Sequence, residues 1–144
     1  MTNYDPNAPV ILTQQEVQSS NTNRTKKPRI ITQTPVYRAA CNLAYFVQQS
    51  MMKAPHSLRV PVTNLDALCN DLLRDIAYGY DSRSGRIEAL TDALSVVRVI
   101  MARIAIMKKM GYMSKDNFNK LRKISDSLTA QLSAWRSSAT VGMQ

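Results

Sequence analysis

At 144 residues the chain has room for one domain whose core can form without disulfide or metal staples. Its formal charge of +9 is unevenly spread: residues 1–60 carry seven Lys or Arg against two acids, residues 61–92 three against six, and residues 93–144 nine against two. A surface tuned only for solubility mixes its signs, so a basic first and last third around an acidic middle points to a polyanionic partner, nucleic acid most commonly and an anionic membrane as the rival. No stretch of 18 apolar residues and no charged-then-apolar leader occurs, which argues against a spanning helix and a signal peptide and predicts a cytoplasmic protein.

Residues 1–33 hold three prolines and many Asn, Gln, Thr and Ser without an apolar period, the pattern of a disordered or extended N-terminal arm. Arg24, Lys26, Lys27 and Arg29 place four cations in six residues of it. A solvated linker has this composition, and so does an arm that finds phosphates by charge alone.

Thr34-Pro35 reads as a helix start, with the threonine hydroxyl expected to accept a hydrogen bond from a first-turn amide and proline losing nothing at the first helical position. A helix over 35–54 follows, with Tyr37, Ala40, Ala44, Val47, Met51 and Ala54 on one face and Leu43 and Phe46 beside them; Pro55 stops it. His56, the sole histidine, lies in the connector with no partner at metal-ligand spacing.

A second helix over 60–80 buries Leu65, Leu68, Leu72 and Ile76, widened by Cys69 and Leu73. Asp71 and Asp75 are four apart on its other face, geometry that a paired-carboxylate mechanism uses, but no base or nucleophile accompanies them and nothing apolar is expected beside them to shift a pKa. Cys41 and Cys69 sit at apolar helix positions, far apart, and read as core residues. Residues 79–85, with two glycines, an aspartate and two serines, form a turn.

The third and fourth helices, 85–110 and 115–137, make a hairpin around Gly111-Tyr112-Met113-Ser114. Ile87, Leu90, Leu94, Val97, Met101 and Ile104 recur at steps of three and four, and Phe118, Leu121, Leu128, Leu132 and Trp135 answer them. Neither stripe can be buried by the other alone, so the first two helices must cover them. The third helix has a second stripe, Val96, Val99, Ile100, Ile106 and Met107, broken by Arg98 and Arg103. We expect Val96, Arg98, Val99 and Arg103 to serve a subunit or protein interface, although arginines over a core edge look alike. Lys108, Lys109, Lys115, Lys120, Arg122 and Lys123 gather at the hairpin's turn, diluted by Asp116 and Asp126, and are expected to face phosphates. No helix-turn-helix or finger motif suggests reading of bases. The chain after Arg136 is small and polar, and residues 139–144 read as a tail.

The sum is an all-α, up-down-up-down antiparallel four-helix bundle over residues 34–138. Catalysis is not expected. A di-metal carboxylate bundle needs several inward glutamates, whereas the chain has only Glu16 and Glu88, and phosphate loops, nucleophile elbows and zinc-helix motifs are missing; no cofactor or metal is expected.

The helix lengths, the proline-containing connector after the first helix, the run from Met110 to Leu121 and the closing Leu132-Ser133-Ala134-Trp135 resemble the four-helix bundle family that includes the ribosomal-RNA intervening-sequence proteins and the accessory variability determinants of diversity-generating retroelements. Tyr37-Arg38, Gln49-Ser50, Val97-Arg98 and the terminal tryptophan look closer to the second group, and the resemblance covers roughly residues 36–137. It implies a non-catalytic homopentameric ring that binds a reverse transcriptase, its template-repeat RNA and the complementary DNA during mutagenic retrohoming. The arm of residues 1–33 departs from the pattern, whose lead-in is much shorter. The acidic second helix and basic fourth helix have the charges to meet across a head-to-tail interface. A stand-alone RNA-binding or protein-interaction bundle is the alternative. A membrane-surface role fits less well, because the apolar faces are expected to be taken up by the core.

Overall fold

The computed structural model describes residues 30–142 and forms four helices: α1 (Pro35–Met51), α2 (Arg59–Asp81), α3 (Arg86–Lys109) and α4 (Lys115–Gly142), with short 3₁₀ turns at Ile31–Gln33 and His56–Leu58. Each helix packs on the next, and α1 closes the ring on α4. This is the expected all-α four-helix bundle.

The order of contacts along the helices sets the direction of two pairs. Thr91 accepts from Arg136 and Lys108 lies over Phe118, so α3 and α4 run antiparallel. Gly79 packs against Leu90, and the Asp75 carboxyl feels that of Asp92, so α2 and α3 do as well. Gln48 donates to Asp66 from the end of α1 to the start of α2, and Lys120 meets Phe46 from the start of α4 to the end of α1.

The apolar periods do what their spacing dictates. Leu43 and Val47 of α1, Leu65, Leu72 and Ile76 of α2, Leu90, Val97, Ile100 and Ile104 of α3, and Leu121, Leu128 and Leu132 of α4 are essentially inaccessible and share one core. Burying such a side chain stabilises by about 1.5–3 kcal/mol, so the stripes account for the assembly. Cys69 is part of this core and Cys41 lies half-buried, and no disulfide joins them.

The helix ends depart from the sequence reading in three places. The Thr34 hydroxyl receives no first-turn amide; it donates to the Ile31 carbonyl at 2.7 Å, because the preceding 3₁₀ turn brings that carbonyl closer. α1 stops at Met51, three residues before the expected end, as Met52 and Ala54 donate into a turn ahead of Pro55. α4 runs on to Gly142 through most of the expected tail: nothing between Arg136 and Thr140 breaks a helix, and the Thr140 hydroxyl donates back to the Arg136 carbonyl at 2.9 Å.

The hairpin turn is built as the sequence implies. Gly111 has φ of +86°, its amide donates to the Lys108 carbonyl and that of Tyr112 to Met107, both at 2.9 Å, which together close the end of α3. Ser114 caps α4, its hydroxyl accepting from the Asn117 amide at 3.1 Å. Among the described residues no helix is long and apolar enough to cross a membrane.

Candidate nucleic-acid interface

The reversal at Gly111 puts the last turn of α3 beside the first turns of α4, so cations distant along two helices share one end of the bundle. Lys109, Lys115, Lys120, Arg122 and Lys123 are exposed and Lys108 is half-buried. On α4 the core residues Leu121, Ser125 and Leu128 occupy one side, which leaves the basic residues to the other. None of these six cations is in an ion pair among the described residues. Their charge therefore stays available to solvent and to whatever anion meets it.

Two of the lysines are held in a way the sequence reading did not include. The Lys120 ammonium lies 3.9 Å from the centroid of the Phe46 ring, and that of Lys108 lies 4.6 Å from the centroid of Phe118. A ring face attracts a cation without neutralising it, so each lysine is positioned while its charge is retained. Between Phe46 and Lys120 opens a polar cleft of about 230 Å³ lined also by Gln49, Ser50 and Asn117. Arg24, Lys26, Lys27 and Arg29 lie outside the described residues.

The second stripe of α3 divides. Ile100 and Met107 join the core and Val96 packs half-buried against it, whereas Val99 and Ile106 are 43% and 57% exposed, in company with exposed Arg98, Ala102, Arg103 and Ala105. The core thus leaves part of the apolar surface of α3 uncovered, and Arg98 and Arg103 stand out from it with no carboxylate partner among the described residues.

The acidic side of α2 differs from expectation. Asp71 and Asp75 are half-buried, and Arg74 pairs with Asp71 at 2.7 Å. Partial burial raises the Asp75 pKa, and the Asp92 carboxylate of α3 adds to the rise; Arg74 offsets part of it and Asp71 contributes a smaller increase. The expectation that nothing beside these carboxyls would shift a pKa thus fails at Asp75, where burial acts and Asp92 of α3 is supplied from a stretch that the α2 pattern could not reveal. Burial, with Asp66 nearby, pushes the Cys69 thiol up to about 12, so it stays protonated. No group of three His, Cys, Asp or Glu side chains suited to a metal ion occurs among the described residues.

Comparison with protein families, curated proteins and solved structures gives no match.

Proposed function

We propose that the chain is a non-catalytic accessory subunit of a diversity-generating retroelement, holding template-repeat RNA for a partner reverse transcriptase. The resemblance of residues 36–137 supplies the retroelement part of this reading. The observation that carries the RNA part is the set of cations from Lys108 to Lys123, unpaired with carboxylates among the described residues and gathered by the hairpin turn. In this reading the α3 surface around Val96, Arg98, Val99 and Arg103 takes protein contacts, either the polymerase or further copies in a pentameric ring, and the protein acts in the cytoplasm with Cys41 and Cys69 reduced.

Reconstitution tests it. The full chain, a reverse transcriptase of a diversity-generating retroelement and its template-repeat RNA should co-purify, and adenine-mutagenised complementary DNA should require the chain. Light scattering should give the mass of five copies. A chain that binds RNA yet ignores the polymerase would contradict the retroelement role and leave a stand-alone RNA-binding bundle, the alternative that the basic hairpin face supports by itself.

A further inference from the structure

At the end of the bundle remote from the basic turn, the α2–α3 connection and the last turns of α4 enclose a cleft of about 390 Å³ lined by Arg83, Arg86, Trp135, Ser138, Ala139 and Gly142. Trp135 lies 20 residues beyond Lys115 on one helix, about 30 Å away, so this is a separate place. Its volume falls within the range of about 300–1,000 Å³ usual for small-molecule sites.

The lining has two guanidinium groups, an indole and a hydroxyl, and no Asp or Glu. Arg86 is fixed: Nε donates to the Gly79 carbonyl at 2.7 Å, Nη2 to that of Tyr80 at 3.1 Å, and its guanidinium carbon is 5.7 Å from the centroid of Trp135. It caps the end of α2 and steadies the indole. Arg83 is exposed and has no ion-pair partner among the described residues. The start of α3, which no side chain caps, brings its positive end to this corner and the last turn of α4 its negative end, so the net positive charge of the cleft comes from the two arginines. Fixed cation, free cation, half-exposed aromatic and hydroxyl together match a ligand that is anionic at one end and flat at the other.

We propose that this cleft binds a nucleotide, its phosphate held by Arg83 with help from Ser138, and its base laid against Trp135 under the edge of Arg86. The ligand is a free nucleotide or one unit of a strand; both present the same phosphate and base. The inference rests on the cleft alone and does not require the retroelement role.

Trp135 is the chain's only tryptophan, so its fluorescence reports this cleft and no other place. Titrating the full chain with AMP, adenosine, inorganic phosphate and a short oligoadenylate separates the possibilities. Saturable quenching by AMP, with adenosine weaker and phosphate competing without quenching, is the expected result. Arg83→Ala should weaken AMP by about tenfold at unchanged helical content, since Arg83 is exposed and makes no hydrogen bond or ion pair among the described residues. Lys115→Ala with Arg122→Ala should leave AMP quenching as it was, which keeps this test apart from that of the hairpin. Oligoadenylate that competes with AMP and binds more tightly makes a strand the ligand; equal or weaker binding makes it a free nucleotide. An emission spectrum indifferent to both AMP and oligoadenylate, or quenching that Arg83→Ala leaves unaltered, overturns the proposal.

Discussion

Lys120 of α4 stands over the ring of Phe46 of α1, with its ammonium 3.9 Å from the ring centroid. The two residues are 74 positions apart, and the contact ties the basic face of the hairpin to the helix that closes the bundle. If the ring presents the lysine to phosphates, Phe46→Leu should preserve packing while releasing the cation. RNA affinity should then fall by about two- to fivefold, the equivalent of about 0.5–1 kcal/mol for such a contact. A filter-binding titration beside a thermal melt checks it: an affinity unchanged at unchanged stability would remove the ring from the site.

Gly111 is placed where only an uncrowded α-carbon is at ease, at φ of +86°, and a β-carbon added there would meet nothing within 4 Å. Gly111→Ala should destabilise by about 1–2 kcal/mol through backbone strain and not through a clash. Urea unfolding of the two proteins gives the number. Gly111→Asn should recover part of the loss, because asparagine tolerates this conformation better than alanine.

Asp75 is a carboxyl that the fold holds at a raised pKa, chiefly through partial burial and then through Asp92, against the pull of Arg74. A folded-state pKa above the unfolded value means that the native state binds the proton more tightly. Stability is therefore lost as pH rises through the folded pKa, and the penalty is absent below the unfolded value of about 3.9. Asp75→Asn should accordingly raise Tm at neutral pH, and the gain should shrink as pH falls toward 4. A gain that persisted unchanged at low pH would place its origin elsewhere.

The two thiols should separate by reactivity. Cys69 is buried, with its pKa pushed up to about 12, whereas Cys41 is half-buried. A thiol reagent added to the native chain should modify Cys41 first and reach Cys69 only at the rate of unfolding, and Cys41→Ser should abolish the fast phase. Two equal fast phases would show that α2 does not seal its cysteine.

Much of the bundle was legible because burial follows the helical period. Leu65, Leu72 and Ile76, or Leu121, Leu128 and Leu132, announce their inward side by spacing alone, and Gly111 and Ser114 mark a helix end and start through backbone chemistry local to a few residues. What spacing cannot carry is which side chain meets which across helices. Phe46 under Lys120, Asp92 beside Asp75 and Arg86 on Trp135 each join segments whose mutual placement depends on the whole packing. The Thr34 hydroxyl illustrates the same limit at short range: spacing predicts a first-turn amide as its donor, and the 3₁₀ turn offers the Ile31 carbonyl as its acceptor instead. On α3 the second stripe, read as one surface, divides: Ile100 and Met107 turn into the core, while Val99 and Ile106 stay outside.

If the cations of the hairpin turn hold a nucleic-acid strand by its phosphates, RNA binding must depend on salt. For the full chain, the logarithm of affinity should fall linearly with the logarithm of salt concentration. Replacing Lys109, Lys115, Arg122 and Lys123 by alanine should lower that slope by about 0.7 for each phosphate contact removed. An affinity that ignores salt, or a slope that these four substitutions leave unchanged, would show that the hairpin turn does not hold phosphates.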